Sequence, residues 1–167
     1  EQSRNLMTIH IAMETGMPKV IQTFKNMGIG KYDPYPAFAL GAGETTVMKM
    51  VNAYSALANH GRLNTPTLID YVQDRTGKVI WRADKRDCNG CNMPEWDGKP
   101  MPRFALTGVQ AMDPRTAYQT VHMLEGVIQR GTGTVLRSLD MPMFGKTGTT
   151  TGPTDVWFIG GTSDLIA

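Results

Sequence analysis

The sequence has no long apolar run. No stretch approaches the roughly 18 residues needed to cross a bilayer. Nor is charge of one sign in excess, with 17 Lys and Arg against 15 Asp and Glu, so nothing points to a nucleic-acid partner. No signal-peptide pattern is visible and no initiating Met is present. The final Asp164-Leu165-Ile166-Ala167 reads as the start of a strand. Both ends therefore read as cut from something longer, and missing targeting signals say little about location.

Cysteine is scarce, with only Cys88 and Cys91, in Cys-Asn-Gly-Cys. Three readings compete. A zinc site needs about four ligands, and His10, His60 and His122 lie scattered in helical patterns, so zinc ranks last. A thioredoxin-like redox motif should open a helix in a βαβ unit, whereas this one lies in a loop rich in Pro, Gly and Asp. A local disulfide in an oxidising compartment ranks first. It would brace a loop and leave the chemistry elsewhere. No metal and no cofactor are expected.

At 167 residues the chain is one domain or a large piece of one, long enough to bury a core. Leu6, Met7, Ile9 and Met13 predict a helix ending at Gly16, for which Ser3 or Asn5 is an ordinary cap. Pro18 starts a second helix, with Val20, Ile21, Phe24 and Met27 on one face and Gly28 as its stop. A loop over 32–43 leads to a third helix expected over 44–60, with Met48, Val51, Tyr54, Ser55 and Ala58 at helical steps. Alternation over 67–73 and 78–82, around Asp74-Arg75-Thr76-Gly77, predicts a β-hairpin. The Pro- and Gly-rich, charged stretch 83–103 reads as an exposed loop or insertion, with Trp96 a candidate anchor. Asp113-Pro114 is a helix start, and Gly131-Thr132-Gly133 breaks that helix. A short helix through Leu136 follows. The expected class is α/β, as α+β layers with a mainly antiparallel sheet flanked by helices.

The chemistry-bearing stretch is Met143-Phe144-Gly145-Lys146-Thr147-Gly148-Thr149-Thr150, followed after a Gly-Pro turn by Val156-Trp157-Phe158-Ile159. It reads as two antiparallel strands, the first ending in Lys-Thr-Gly-Thr. Glycine within a strand often marks the approach of another backbone or a ligand. Beside it, Lys146 offers a point charge and Thr149 a hydroxyl, a set that suits a peptide carboxylate along a strand edge. Alone, Lys-Thr-Gly is as well read as a solvated strand end. A second triplet, Ser3-Arg4-Asn5, raises its weight.

Ser-x-Asn and Lys-Thr-Gly are two of the three signatures of penicillin-recognising serine enzymes. The third, Ser-x-x-Lys, is absent: Leu6, Ala58, Met141 and Ile166 stand three positions after Ser3, Ser55, Ser138 and Ser163. The nearest imitation, Thr46-Val47-Met48-Lys49, falls in a helical pattern and reads as coincidence. Further segments match in order: Ala-Leu-Gly-Ala-Gly-Glu-Thr-Thr, Ala-Tyr-Ser-Ala-Leu-Ala-Asn-His-Gly, Val-Ile-Gln-Arg-Gly-Thr-Gly and Asp-Val-Trp-Phe-Ile-Gly-Gly-Thr. With these, the whole chain resembles the C-terminal part of the transpeptidase domain of class A penicillin-binding proteins, the bifunctional enzymes that polymerise and cross-link peptidoglycan. The insertion holding Cys88 and Cys91 is not part of the common pattern.

The resemblance implies an incomplete transpeptidase fold of the penicillin-binding-protein and β-lactamase type over 1–167, on the periplasmic side of the bacterial inner membrane. An upstream segment, a glycosyltransferase domain and an N-terminal anchor would lie outside this chain. It further implies a serine, also outside, that attacks a D-Ala-D-Ala stem peptide with a neighbouring lysine as base. Ser3 relays the proton to the departing D-alanine, Lys146 holds that relay in a positive field, and Asn5 orients the base and the substrate amide. Thr147, Gly148, Thr149 and Thr150 bind substrate, with the Thr149 hydroxyl on the terminal carboxylate and its N–H in the oxyanion hole. β-Lactams stall at the acyl-enzyme. Two other readings stand beside this one: a carboxypeptidase or β-lactamase in which water resolves the acyl-enzyme, and a non-catalytic peptidoglycan-binding module.

Overall fold

Helices and short antiparallel ladders follow the Gly and Pro punctuation of the chain in a computed structural model, which describes residues 1–83, 95, 98–100, 107–152 and 154–166. The chain falls into two units, one of Glu1–Asn64 with Val109–Ala167 and one of Thr65–Gly108.

In the first unit, α1 spans Asn5–Thr15 and α2 spans Met17–Asn26. Gly16 divides them at φ +91°, and its N–H donates to the Ala12 and Met13 carbonyls at 3.0 and 3.2 Å. That conformation costs other residues a Cβ clash, which is why glycine stops the helix here. The expected cap does not form. Arg4 occupies the cap position of α1 without a side-chain bond, and Ser3, at φ +52°, turns its hydroxyl elsewhere.

Helix α3 spans Val47–Ala58 and starts three residues later than the apolar spacing suggested. The reason is local: the Thr46 hydroxyl accepts from the Lys49 N–H at 3.3 Å and fixes the first turn. The Thr46-x-x-Lys49 pattern is thus a helix cap. The preceding segment, expected to be loop, carries a 3-10 turn at Pro36–Leu40. Tyr32 stacks on Phe38 at 5.0 Å and donates to the Glu44 carbonyl at 2.7 Å.

Helix α4 spans Pro114–Arg130, with the Asp113 carboxylate accepting from the Arg115 N–H at 2.8 Å. It packs against α3. Between them Met27, Ala53, Ala56 and Leu57 form a buried cluster, joined by Ile29, Leu63, Val121 and Leu124. Val127 is 2 % exposed, and burying such a side chain contributes about 1.5 kcal/mol or more.

Two strands were not anticipated. β1 (Arg62–Leu63) pairs antiparallel with β4 (Val109–Gln110). Two-residue strands carry no periodicity to read, and their partners are far apart in sequence. The ladder that matters for the site joins β5 (Phe144–Thr149) to β6 (Val156–Gly161), antiparallel and in unbroken register from Phe144↔Gly161 to Thr149↔Val156. α4 lies against β5 and α3 against β6. The expected third strand is a single bridge, Gly161↔Ile166. Mixed α/β architecture with antiparallel pairing is therefore observed throughout the described residues.

Helix α1 leaves much of its apolar surface uncovered. Only Ala12 is buried, while Leu6, Met7, Ile11 and Met13 are exposed by 54–74 %. A helix that is apolar all round is ordinarily buried on all sides.

The second unit contains the expected hairpin, shorter than the alternation suggested: β2 (Tyr71–Gln73) pairs with β3 (Val79–Arg82), with a register shift between Val72 and Gln73. The Asp74 carboxylate closes the turn, accepting from the Thr76 and Lys78 N–H groups at 2.8 and 3.0 Å. Cys88, Cys91 and Trp96 lie outside the described residues. Among the described residues no helix is long and apolar enough to cross a membrane, and no cluster of His, Cys, Asp or Glu could hold a metal.

Candidate active site

The register of β5 on β6 decides where each side chain can go. Side chains alternate across a strand, so Lys146 and Gly148 share one face and Thr147 and Thr149 the other. Gly145 lies opposite Gly160. A Cβ at Gly160 would strike the Phe144 carbonyl oxygen and the Gly145 Cα, so these two glycines let the strands pack together. Gly148 differs. A Cβ there would find nothing closer than Trp157 Cβ at 3.8 Å, an ordinary contact. Nothing among the described residues requires glycine at 148.

The structure brings Ser3 and Lys146 together. The Lys146 ammonium donates to Ser3 Oγ at 2.9 Å and to the Thr147 carbonyl at 2.8 Å. No carboxylate pairs with it among the described residues. Burial pushes its pKa below the ordinary lysine value, because the half-buried cation has lost part of its hydration. The result is a cation in partly desolvated surroundings, aimed at a hydroxyl oxygen.

Asn5, the first residue of α1, is exposed and makes no side-chain hydrogen bond among the described residues. Gly148 and Thr149 lie exposed at the end of β5. Thr147 points its hydroxyl at Thr132, 2.6 Å away. Thr150 is engaged in the turn to β6: its hydroxyl accepts from the Asp155 N–H at 3.0 Å and its own N–H donates to the Asp155 carbonyl at 3.1 Å. Of the residues proposed to contact substrate, Thr150 is thus the one already committed within the loop.

Several contacts around Ser3 were not singled out from the sequence. The Arg130 guanidinium holds Glu1 through two bonds, Nε to Oε2 at 2.9 Å and Nη2 to Oε1 at 2.6 Å. Gln2 Nε2 donates to the Arg130 carbonyl at 3.1 Å, and the Thr132 N–H donates to the Glu1 carbonyl at 3.3 Å. The signal for Thr132 was its place between two glycines at the α4 terminus, read as a helix break and as part of the Val-Ile-Gln-Arg-Gly-Thr-Gly segment, with no role of its own. Glu1 gave no signal, and Arg130 only its place in the Val-Ile-Gln-Arg-Gly-Thr-Gly segment; pairing across 129 positions leaves no local pattern that would join them.

The site is thus a lysine-bound serine hydroxyl beside an open antiparallel strand end, on a helix-flanked sheet. The chain belongs to the penicillin binding protein transpeptidase family: the model of that domain matches residues 1–162. Among relatives, it is 36% identical over 172 residues to penicillin-binding protein 1A of Rickettsia prowazekii, covering 99% of this chain and 22% of that protein. It is 33% identical over 168 residues to penicillin-binding protein 1A of Neisseria meningitidis, covering 98% of this chain and 19% of that one. The chain thus spans about a fifth of the length of the curated relatives it matches. Among solved structures, penicillin-binding protein 1A of Haemophilus influenzae superposes with a TM-score of 0.76 at 25% identity, over 95% of this chain and 27% of that one. The D,D-transpeptidase domain of a peptidoglycan glycosyltransferase from Eggerthella lenta shares the fold, with a TM-score of 0.72 at 22% identity over 97% of this chain and 43% of that one.

Proposed function

We propose that this chain forms the lysine-and-threonine half of a serine DD-transpeptidase site that cross-links peptidoglycan, and that the nucleophile comes from a segment outside it. The observation that carries the reading is the 2.9 Å bond from Lys146 to Ser3. It joins the two triplets across 143 positions in the way a proton relay requires. The nucleophilic serine forms an ester with the penultimate D-alanine carbonyl while the amide C–N bond breaks. Ser3 passes the serine's proton, by way of the neighbouring base, to the departing D-alanine nitrogen. Lys146 keeps the relay in a positive field. Thr149 holds the terminal carboxylate through its hydroxyl and stabilises the oxyanion through its N–H. Asn5, without a side-chain hydrogen bond among the described residues, is available to the base and the substrate amide. Gly148 keeps the strand bare where the peptide lies. A stem-peptide amine then attacks the ester and frees the serine. β-Lactams acylate the same serine and remain.

The exposed apolar surface of α1 supports the second half of the proposal. Leu6, Met7, Ile11 and Met13 make a surface that a companion segment of the same protein covers, carrying the serine and its base lysine. The site of action is then the periplasmic face of the inner membrane, with a glycosyltransferase domain and an anchor in the same polypeptide.

Intact-mass measurement after incubation with a penicillin tests this. The protein carrying the upstream segment gains the mass of the drug; the isolated 167-residue chain does not. A drug adduct on the isolated chain overturns the external nucleophile. No adduct on the longer protein favours a non-catalytic peptidoglycan-binding module. An adduct that water clears rapidly, with no cross-linked product from stem peptides, favours a carboxypeptidase or β-lactamase.

A further inference from the structure

Ser3 sits in left-handed backbone at φ +52°, a region that costs a residue with a Cβ and persists only where neighbours hold it. What holds it is the end of α4. Two residues before Ser3, Glu1 is gripped by Arg130 through two parallel bonds. Its carbonyl takes the Thr132 N–H, and the intervening Gln2 reaches the Arg130 carbonyl. The far side of the site is tied to the same turn, because the Thr132 hydroxyl meets Thr147, the residue after Lys146. Gly126, one turn before Arg130, makes the room: a Cβ there would collide with the Glu1 carboxylate.

We infer that Arg130 is a positioning residue that acts through Glu1 to hold the Ser3 hydroxyl against Lys146. Its business is geometry. Arg130 is 60% exposed and Glu1 30%, and ion pairs this exposed contribute little to stability. A bidentate guanidinium, in contrast, fixes direction as well as distance. The inference rests on the function proposed above, in which the Ser3 hydroxyl must meet both Lys146 and the reacting base.

Two substitutions separate positioning from folding. Arg130→Gln removes the fork. Gly126→Ala displaces the Glu1 carboxylate while improving the helix, since alanine is the better helix former. In the full-length protein, both slow fluorescent-penicillin acylation about tenfold, with melting temperature unchanged or, for Gly126→Ala, raised; misplacements near 1 Å have effects of this order or larger. In a Ser3→Ala background neither substitution slows acylation further, because effects routed through one group do not add. Equal losses with and without the Ser3 hydroxyl, or no loss in the parent, overturn the inference. Should the parent protein take no penicillin, the functional reading fails instead, and a crystal structure of Arg130→Gln decides the inference alone. Ser3 Oγ displaced from Lys146 beyond hydrogen-bond reach supports it; a retained 2.9 Å contact overturns it.

Discussion

Removing the Lys146 ammonium tests the site most directly. In the full-length protein, Lys146→Ala deletes the donor that reaches Ser3 Oγ at 2.9 Å and the Thr147 carbonyl at 2.8 Å. A hydrogen bond involving a charged group contributes about 1.5–3 kcal/mol, and the half-exposed setting argues for the lower end. About 1.4 kcal/mol is tenfold in rate, so the lost contact to the relay alone slows acylation roughly tenfold. In the proposed function the cation also balances charge that develops as the amide opens, and loss of one preorganised electrostatic donor costs a further 10²–10³, roughly. The sum is a loss of about 10³–10⁴ for Lys146→Ala. Lys146→Arg keeps the charge but replaces a compact ammonium with a planar fork, and its loss is about tenfold. Stopped-flow acylation with a fluorescent penicillin measures both rates, and a thermal melt of the same samples checks the fold. The reasoning fails if Lys146→Ala acylates at the parent rate. A variant that no longer folds marks a structural lysine instead.

Acylation also has a pH signature. Burial lowers the Lys146 pKa, so the folded chain releases this proton before the unfolded one does. Between the lowered value and the ordinary 10.5 the unfolded state binds more protons, and this group's contribution to stability therefore rises with pH. Activity runs the other way. The rate falls on an alkaline limb below 10.5 and the limb moves upward in Lys146→Arg; a limb unmoved by that substitution shows that another group titrates. Separately, Gly160→Ala forces a Cβ into the Phe144 carbonyl and the Gly145 backbone. Overpacking of this kind costs about 1–3 kcal/mol, so the melting temperature drops; an unchanged melt shows that β5 and β6 are not held this close.

How much of this was legible in the sequence depended on the range of the interaction that carried it. Gly16, Pro18 and Asp113-Pro114 act within a turn of the chain, and their helices fall where that punctuation puts them. Where two local signals competed, the weaker was read. Apolar spacing drew α3 back to 44, but the Thr46 hydroxyl on the Lys49 N–H sets its start. Ser3 reversed that error: local rules make it a cap, and a lysine 143 positions away takes the hydroxyl instead. The triplets could signal that pairing because each has a recognisable residue pattern. Arg130 stands in a matching segment that names no partner for it, and Glu1 stands in none, so the fork that orients Ser3 was invisible until the fold brought the end of α4 to it. The resulting division is physical. Residue types that do chemistry are constrained by what they must bond and can be read singly, whereas the groups that aim them are constrained only by position and emerge with the tertiary contacts.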